Sequence, residues 1–179
     1  TIDNPSTPIL NCQDITVGLD AAGVAQIDFD TALYFDGLDD VVVVGDDPSL
    51  QWTGPVTVEA WIYLDGTSLA HNTIVGKIAT AGQGFWLNLE GEVLDDNVTA
   101  NADAYKLRWV TGASAGVYGT LYSTSTISVN SWTHVAAVYD ESEMRLYING
   151  SQSGSLSYTD GMSSDNGLPV AIGASSTND

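Results

Sequence analysis

The sequence predicts an all-β protein. Short runs rich in Val, Ile, Thr, Tyr and Trp recur along the chain and are separated by Gly, Asn, Asp and Ser, which is typical of strands joined by turns. No stretch of ten or more residues holds a convincing 3.6-residue apolar period, so helices should be few and short. Hydrophobic residues make up 44% of the 179 positions, which is enough for a core without disulfides, and Cys12 is the single cysteine.

The pattern divides the chain in two. Residues 1–31 have the composition of a linker followed by a short hairpin with a turn at Gly23. Residues 32–179 form the main domain, in which the strands are predicted at 32–37, 41–44, 56–64, 73–78, 85–90, 105–111, 117–123, 132–139, 144–148, 153–158 and 168–173.

The clearest local signal is the run from Ser131 to Gly150. Two strand-like segments, 132–139 and 144–148, flank an acidic turn, and Asn149-Gly150 then supplies a second turn. Asn and Gly adopt positive φ at low cost, so this dipeptide beside β-runs indicates a hairpin.

This hairpin, together with the blocks 32–41, 56–63, 73–77, 84–89 and 168–173, resembles the laminin G-like (concanavalin A-like) jelly-roll family. The resemblance implies an antiparallel two-sheet jelly-roll sandwich. The family usually continues into a final strand with an Ile-Asp-Glu-Val-like run, which this chain lacks. We therefore expect either a missing final strand or a sheet edge that is filled otherwise. Residues 12–17, together with Leu19-Asp20 and Gly23, resemble over a short stretch the hyalin-repeat-like modules of bacterial surface proteins.

Charge restricts the partners. The chain carries 23 Asp and Glu against 4 Lys and Arg, a net charge of −19. Nucleic acid is excluded because phosphate binding needs a basic surface. No apolar run approaches the ~20 residues that cross a bilayer, so membrane insertion is not expected. A solvated acidic surface and a surface that takes divalent cations both fit the excess of carboxylates.

The resemblance includes laminarinase-type glycoside hydrolases, which need two carboxylates that flank the scissile bond. A Glu-x-Asp-x-x-Glu-like run on one strand face would supply them, and the sequence has none. Glu90 and Glu92 are separated by Gly91, which suggests a turn. We therefore predict that the chain is not an enzyme.

A calcium ion is the cofactor that the sequence favours. Asp36, Asp39 and Asp40 cluster in one turn, and calcium prefers carboxylate and carbonyl oxygens. Laminin G-like domains often hold a structural calcium, and the resemblance implies this turn as its place. The alternative is an acidic turn that only water solvates.

Strand alternation gives the candidate ligand-binding residues. Trp86, Asn88 and Glu90 should share the face of their strand that is opposite to Leu87. Lys106 and Arg108 should share one face of a second strand. If the two strands are neighbours, an aromatic platform meets hydrogen-bond donors, as a glycan site requires. The alternative is that Trp86 packs under a loop while the two cations pair with surplus carboxylates. Three other tryptophans are expected in the core: Trp52, Trp61 and Trp132.

These observations predict a non-catalytic binding or adhesion module of a secreted or cell-surface multidomain protein, bacterial in origin. Its partners would be a glycan or an extracellular or cell-surface protein, and the neighbouring domains of a longer chain. The alternative is a purely structural spacer in a long adhesin, which would bind no ligand. A glycoside hydrolase ranks below both because the paired carboxylates are missing.

Overall fold

The structure, a computed structural model, describes residues 32–35, 40–66, 72–91 and 103–173. Contacts divide the chain into two units, Thr1–Asp40 and Val41–Asp179. The hairpin predicted within residues 1–31 lies outside the described residues. In the first unit, residues 32–35 adopt no regular secondary structure, so the strand predicted at 32–37 is not formed over these four positions.

The second unit is built from two antiparallel sheets over its described residues. The strands are β1 (Val42–Val44), β2 (Val56–Tyr63), β3 (Asn72–Ile78), β4 (Gly84–Leu89), β5 (Lys106–Ser114), β6 (Val117–Thr126), β7 (Trp132–Tyr139), β8 (Glu143–Ile148), β9 (Ser151–Ser157) and β10 (Val170–Ile172). One sheet has the order β1-β10-β3-β4-β5-β6 and the other has the order β2-β7-β8-β9. A single 3-10 turn, Pro48–Leu50, connects β1 to β2.

The fold class predicted from the sequence is confirmed: the protein is an all-β, two-sheet jelly-roll sandwich. Every strand predicted from residue 41 onward has a counterpart in the structure. Across the described ranges, no helix is long and apolar enough to span a bilayer.

The core lies between the two sheets and is formed mainly by the inward-facing positions of β4 to β8. Alternation fixes these positions, because successive side chains of a strand point to opposite faces. The buried apolar cluster consists of Phe85, Leu87, Leu89, Leu107, Trp109, Leu121, Ile127, Val135, Ala137, Tyr139, Met144, Leu146, Tyr158 and Met162.

The turn after β8 forms as the sequence predicts. Asn149 and Gly150 both have positive φ, 49° and 77°, which matches the right-handed twist of the strands they join. The Asn149 side chain also accepts a hydrogen bond from the backbone N–H of His134 at 3.0 Å, so this residue fixes the adjacent strand as well.

Within the described part of the chain, the charged residue Lys77 faces the core. Lys77 lies opposite Phe85 in the β3–β4 register and its side chain is fully buried. The ammonium group donates to the carboxylate of Asp46 and to the carbonyl of Leu168 at 2.8 Å. The pair therefore ties β3 to the segment after β1 and to the segment before β10. Burial of the ammonium group is tolerated because these two hydrogen bonds replace those that it would make with water.

Candidate ligand-binding site

The outer face of the six-stranded sheet carries the residues that strand alternation pointed to. Strands β4 and β5 are neighbours, and Asn88 lies opposite Arg108 in their register. The same row continues to Thr73 on β3 and to Tyr122 on β6. Four strands thus place polar or aromatic side chains side by side across the sheet.

Trp86 lies in the next row and is held from several directions. Its ring is covered by Arg108, whose Cζ is 5.1 Å from the ring centroid. Its Nε1–H donates to Thr73 Oγ1 at 3.0 Å. A Cβ built on Gly76, the residue opposite Trp86 on β3, would lie 3.1 Å from the ring atom Cδ1. The ring is therefore a packed part of the sheet surface and is only partly exposed.

Glu90 and Arg108 form an ion pair beneath this surface. Arg108 Nη1 lies 3.5 Å from Glu90 Oε1, and the two side chains are 21% and 4% exposed. Asn88 Nδ2 donates to the same carboxylate oxygen at 3.2 Å. Since the carboxylate receives donors from both strands, its role in this geometry is to anchor the cluster.

Two polar atoms of this cluster are buried without a hydrogen-bond partner. They are Oδ1 of Asn88, an acceptor, and Nε of Arg108, a donor. Asn88 itself is fully buried. An unmade hydrogen bond inside a protein costs free energy, so groups of this kind are normally satisfied by a neighbour, by water or by a ligand.

Tyr122 borders the cluster on β6. The Arg108 guanidinium lies 5.9 Å from its ring centroid, so the cation lies within reach of two aromatic rings. Burial raises the pKa of the Tyr122 hydroxyl, and the positive charge of Arg108 partly opposes this. The phenol is therefore neutral at physiological pH and able to donate a hydrogen bond. We call Trp86, Asn88, Glu90, Arg108 and Tyr122 the Arg108 cluster.

Lys106 lies beside this cluster, because its backbone carbonyl accepts a hydrogen bond from the Glu90 N–H at 3.0 Å, but the ion pair of its ammonium group points elsewhere. The ion pair that the structure gives it is with Asp103, whose Oδ1 lies 2.8 Å from Nζ, and both side chains are partly exposed. This resembles the alternative in which a cation pairs with a surplus carboxylate. Strand alternation could not decide whether the Lys106 ammonium joins the ligand site or pairs with a nearby carboxylate, because the side chain is long enough to reach either.

The predicted calcium turn falls largely on undescribed positions. Asp36 and Asp39 lie outside the described residues, and Asp40 is partly buried. Within the ranges that the structure describes, no three His, Cys, Asp or Glu side chains come together in a way that could hold a metal ion. The calcium site stays a prediction from the sequence.

A second group of side chains was missed by the sequence reasoning. Trp61 and Trp132 were expected in the core, and both expectations are wrong. Trp61 lies on the outer face of β2 and is 51% exposed, and Trp132 lies opposite Tyr63 on the same outer face and is partly exposed. Val56, Val58, Ala60 and Ile62 take the inward positions of this strand and pack against the core. The alternation of VTVEAWIY, read strictly from Val56, could have revealed this.

Comparisons with known proteins agree with the architecture. A laminin G model of the concanavalin A-like lectin/glucanases superfamily matches residues 35–179. Among curated proteins, none matches the chain in sequence.

Solved structures share the fold at low sequence identity. The binding domain of Paraclostridial mosquitocidal protein 1 superposes with a TM-score of 0.59 at 19% identity, covering 75% of this chain and 33% of that chain. A putative carbohydrate binding protein from Bacteroides ovatus superposes with a TM-score of 0.55 at 22% identity, covering 75% and 35%. The chain thus spans about a third of the length of these proteins. The family model covers residues 35–179, and the two antiparallel sheets agree with it. The chain therefore belongs to the concanavalin A-like lectin/glucanases superfamily.

Proposed function

We propose that this domain is a non-catalytic module that binds a glycan through the Arg108 cluster. The observation that carries the proposal is the pair of unsatisfied groups, Asn88 Oδ1 and Arg108 Nε–H, on residues that face each other across β4 and β5. A hydroxyl group donates one hydrogen bond and accepts others, so a sugar hydroxyl could serve either atom once the side chains that cover this buried pair shift to admit it.

The surroundings of the pair favour an uncharged sugar. Arg108 is the cation of the cluster, and Glu90 balances its charge. The chain as a whole carries a net charge of −19, which repels anionic ligands at long range. Trp86 and Tyr122 border the pair and offer ring edges and a phenol hydroxyl to the rest of the ligand. Sites of mostly apolar walls with a few converging polar groups are typical of small-ligand binding.

The same geometry argues for binding without catalysis. Glycosidic hydrolysis needs one carboxyl group that gives a proton and a second that attacks or activates water. Glu90 is the one carboxylate of the Arg108 cluster, and its side chain is already engaged by Asn88 and Arg108. The cluster therefore does not supply the pair of carboxyl groups. The solved structures that share the fold with TM-scores of 0.59 and 0.55 carry the names of a toxin binding domain and a putative carbohydrate binding protein.

We extend the proposal to the setting of the module. Glycans are displayed outside cells, so a secreted or cell-surface protein is the natural host, with this domain as its adhesion or matrix-binding part. A structural calcium ion at Asp36, Asp39 and Asp40 would order the turn between residues 35 and 41. Thermal unfolding with calcium and with chelator tests this part, because a metal that binds only the folded state raises the melting temperature.

The main test is a glycan array followed by calorimetric titration of the best-bound glycan. Asn88→Leu removes the buried acceptor at similar volume, and we expect it to weaken binding at least about tenfold. Gln152→Leu is the matched control, because it removes an exposed amide from β9 in the other sheet. Equal affinity of the native protein and Asn88→Leu would overturn the site. Failure of the native protein to bind any glycan or matrix protein would favour the structural spacer.

A further inference from the structure

The outer face of the four-stranded sheet carries an aromatic surface that the proposed function does not use. Trp61 and Tyr63 on β2 lie directly opposite His134 and Trp132 on β7. We call these four residues the β2–β7 aromatic face. The solvent-facing positions of an antiparallel sheet are normally occupied by polar residues, so a group of aromatic rings at these positions is unusual.

The two largest exposed rings of this face are well presented to solvent. Trp61 is 51% exposed and Tyr63 is 46% exposed. They are two residues apart on one strand, so their side chains project in the same direction about 7 Å apart. Contiguous exposed apolar surface of this kind marks binding sites more often than chance packing.

The rings are also held in place by their neighbours. The Trp61 and His134 ring centroids are 5.4 Å apart at 60°, and those of Tyr63 and Trp132 are 5.5 Å apart at 58°. Tilted contacts at these distances are favourable for aromatic pairs. Since each exposed ring leans on a partner from the adjacent strand, little side-chain freedom is lost when a ligand covers it.

Hydrogen-bonding groups border the rings. The next row of the sheet places Glu59, Ala136 and Tyr147 side by side. The Glu59 side chain is 68% exposed, and its Oε2 lies 3.6 Å from His134 Nε2. The small side chain of Ala136 lies between Glu59 and Tyr147 in this row and is 8% exposed. Ring faces beside a carboxylate acceptor suit a sugar, whose C–H face stacks while its hydroxyls donate.

We propose that the β2–β7 aromatic face is a second glycan-binding surface, which takes the C–H face of uncharged sugar residues in a polysaccharide chain. A neutral ligand is chosen because Glu59 and the net charge of −19 oppose an anionic one. The inference shares its ligand class with the proposed function, but it concerns the opposite sheet and is tested by separate variants. Two surfaces on one rigid sandwich would let a domain engage two chains, which raises its retention on a polysaccharide matrix.

The experiment is affinity electrophoresis of the whole chain in gels that contain laminarin, xylan, galactomannan or polygalacturonate. We expect at least one of the three neutral polysaccharides to retard the native protein. Trp61→Ala and Tyr63→Ala should each weaken that binding about tenfold or more. Tyr118→Ala is the matched control, because Tyr118 is 52% exposed on the other sheet, and it should bind as the native protein does.

A readout on the native protein guards against a misfolded variant. The indole N–H signals of Trp61 and Trp132 should shift in the ¹H–¹⁵N spectrum when the retarding polysaccharide is added. Unchanged retardation in both ring variants would overturn the second surface, and so would retardation by polygalacturonate alone or by none of the four. A concentration-dependent dimer that Trp61→Ala abolishes would also overturn it, by assigning this face to a second copy.

The two proposals fail separately. If Asn88→Leu loses glycan binding while Trp61→Ala and Tyr63→Ala keep it, the proposed function holds and the second surface is wrong. If both ring variants lose binding while Asn88→Leu keeps it, the aromatic face holds and the Arg108 cluster is wrong.

Discussion

The guanidinium of Arg108 covers the indole ring of Trp86, with Cζ 5.1 Å from the ring centroid. The same guanidinium reaches the buried carboxylate of Glu90, 3.5 Å from Nη1. One side chain on β5 therefore joins an aromatic ring and a carboxylate, and it leaves its own Nε without a partner. Arg108 is therefore the central residue of the outer face. Trp86 borders the site, whereas the sequence predicted it as an exposed ring on which a ligand would stack.

Replacement of Arg108 should be costly. Arg108→Met removes the positive charge that faces the Glu90 carboxylate, which is 4% exposed. Breaking a buried pair in this way costs about 3–5 kcal/mol. We expect the urea midpoint of unfolding to fall accordingly. Lys106→Met is the control, because its pair with Asp103 is partly exposed and is worth about 0–1 kcal/mol. Equal losses in the two variants would contradict the assignment of Arg108 as the buried anchor.

The contact between Gly76 and Trp86 gives a second prediction. Gly76→Ala places a methyl group 3.1 Å from Trp86 Cδ1, closer than a relaxed contact. Overpacking of this kind costs about 1–3 kcal/mol, and we expect a loss at the low end because the ring can shift slightly.

Two further variants isolate this effect. Gly45→Ala meets no atom within 4 Å and should cost nothing measurable. In the background of Trp86→Ala, the Gly76→Ala penalty should disappear, as a double-mutant cycle of unfolding free energies would show. A penalty that persists without the ring would mean that the backbone of β3, and not the indole, is the obstacle.

The buried Lys77 ammonium should make the fold sensitive to its partner. Asp46→Ala removes the carboxylate and leaves the charge of Lys77 buried, whereas Lys77→Met removes the charge itself. We expect Asp46→Ala to lower the urea midpoint more than Lys77→Met does, because an unpaired buried charge is worse than an apolar replacement. The opposite order would indicate that Lys77 stabilises chiefly through the Leu168 carbonyl.

Acid should destabilise the domain through two aspartates. Hydrogen bonds from the Ser142 hydroxyl and backbone, the Glu143 N–H and Arg145 hold the pKa of Asp140 far below its ordinary range. The hydrogen bond from Lys77 likewise lowers the pKa of Asp46. A carboxyl group whose pKa is depressed by folding contributes stability above its unfolded pKa and loses it as the pH falls.

Unfolding free energy should therefore be flat near neutral pH and should decline below the ordinary aspartate pKa of about 3.9. Urea titrations from pH 7 to pH 2 would measure this decline. Asp140→Asn should reduce its slope, because one of the depressed groups no longer titrates. A slope identical to that of the native protein would contradict the role given to Asp140.

Local pattern was sufficient for most of the fold. Alternation placed Phe85 and Leu87 inward and Trp86 and Asn88 outward, and the structure has them so. The turn at Asn149 formed because its positive φ is a local property of the sequence. These features depend on neighbours along the chain, which a single sequence contains.

Features that depend on distant residues were not visible in the sequence. Lys77 is buried because Asp46 and the Leu168 carbonyl, far from it along the chain, supply its contacts. The covering of Trp86 by Arg108 depends on which strands pair and in what register. Trp61 and Trp132 were misplaced for a different reason: both were assigned to the core because they occupy apolar positions of the resembled family, although the alternation of β2 and its pairing with β7 put them on the outer face.

The most direct test of the central claim observes the side-chain N–H of Arg108 itself. In a ¹H–¹⁵N spectrum, addition of the glycan selected by the array should shift the Nε–H signal of Arg108, since a sugar hydroxyl becomes its hydrogen-bond acceptor. Asn88→Leu should remove this shift at the same glycan concentration. If the glycan binds the native protein and the Arg108 Nε–H signal does not move, the Arg108 cluster is not the site.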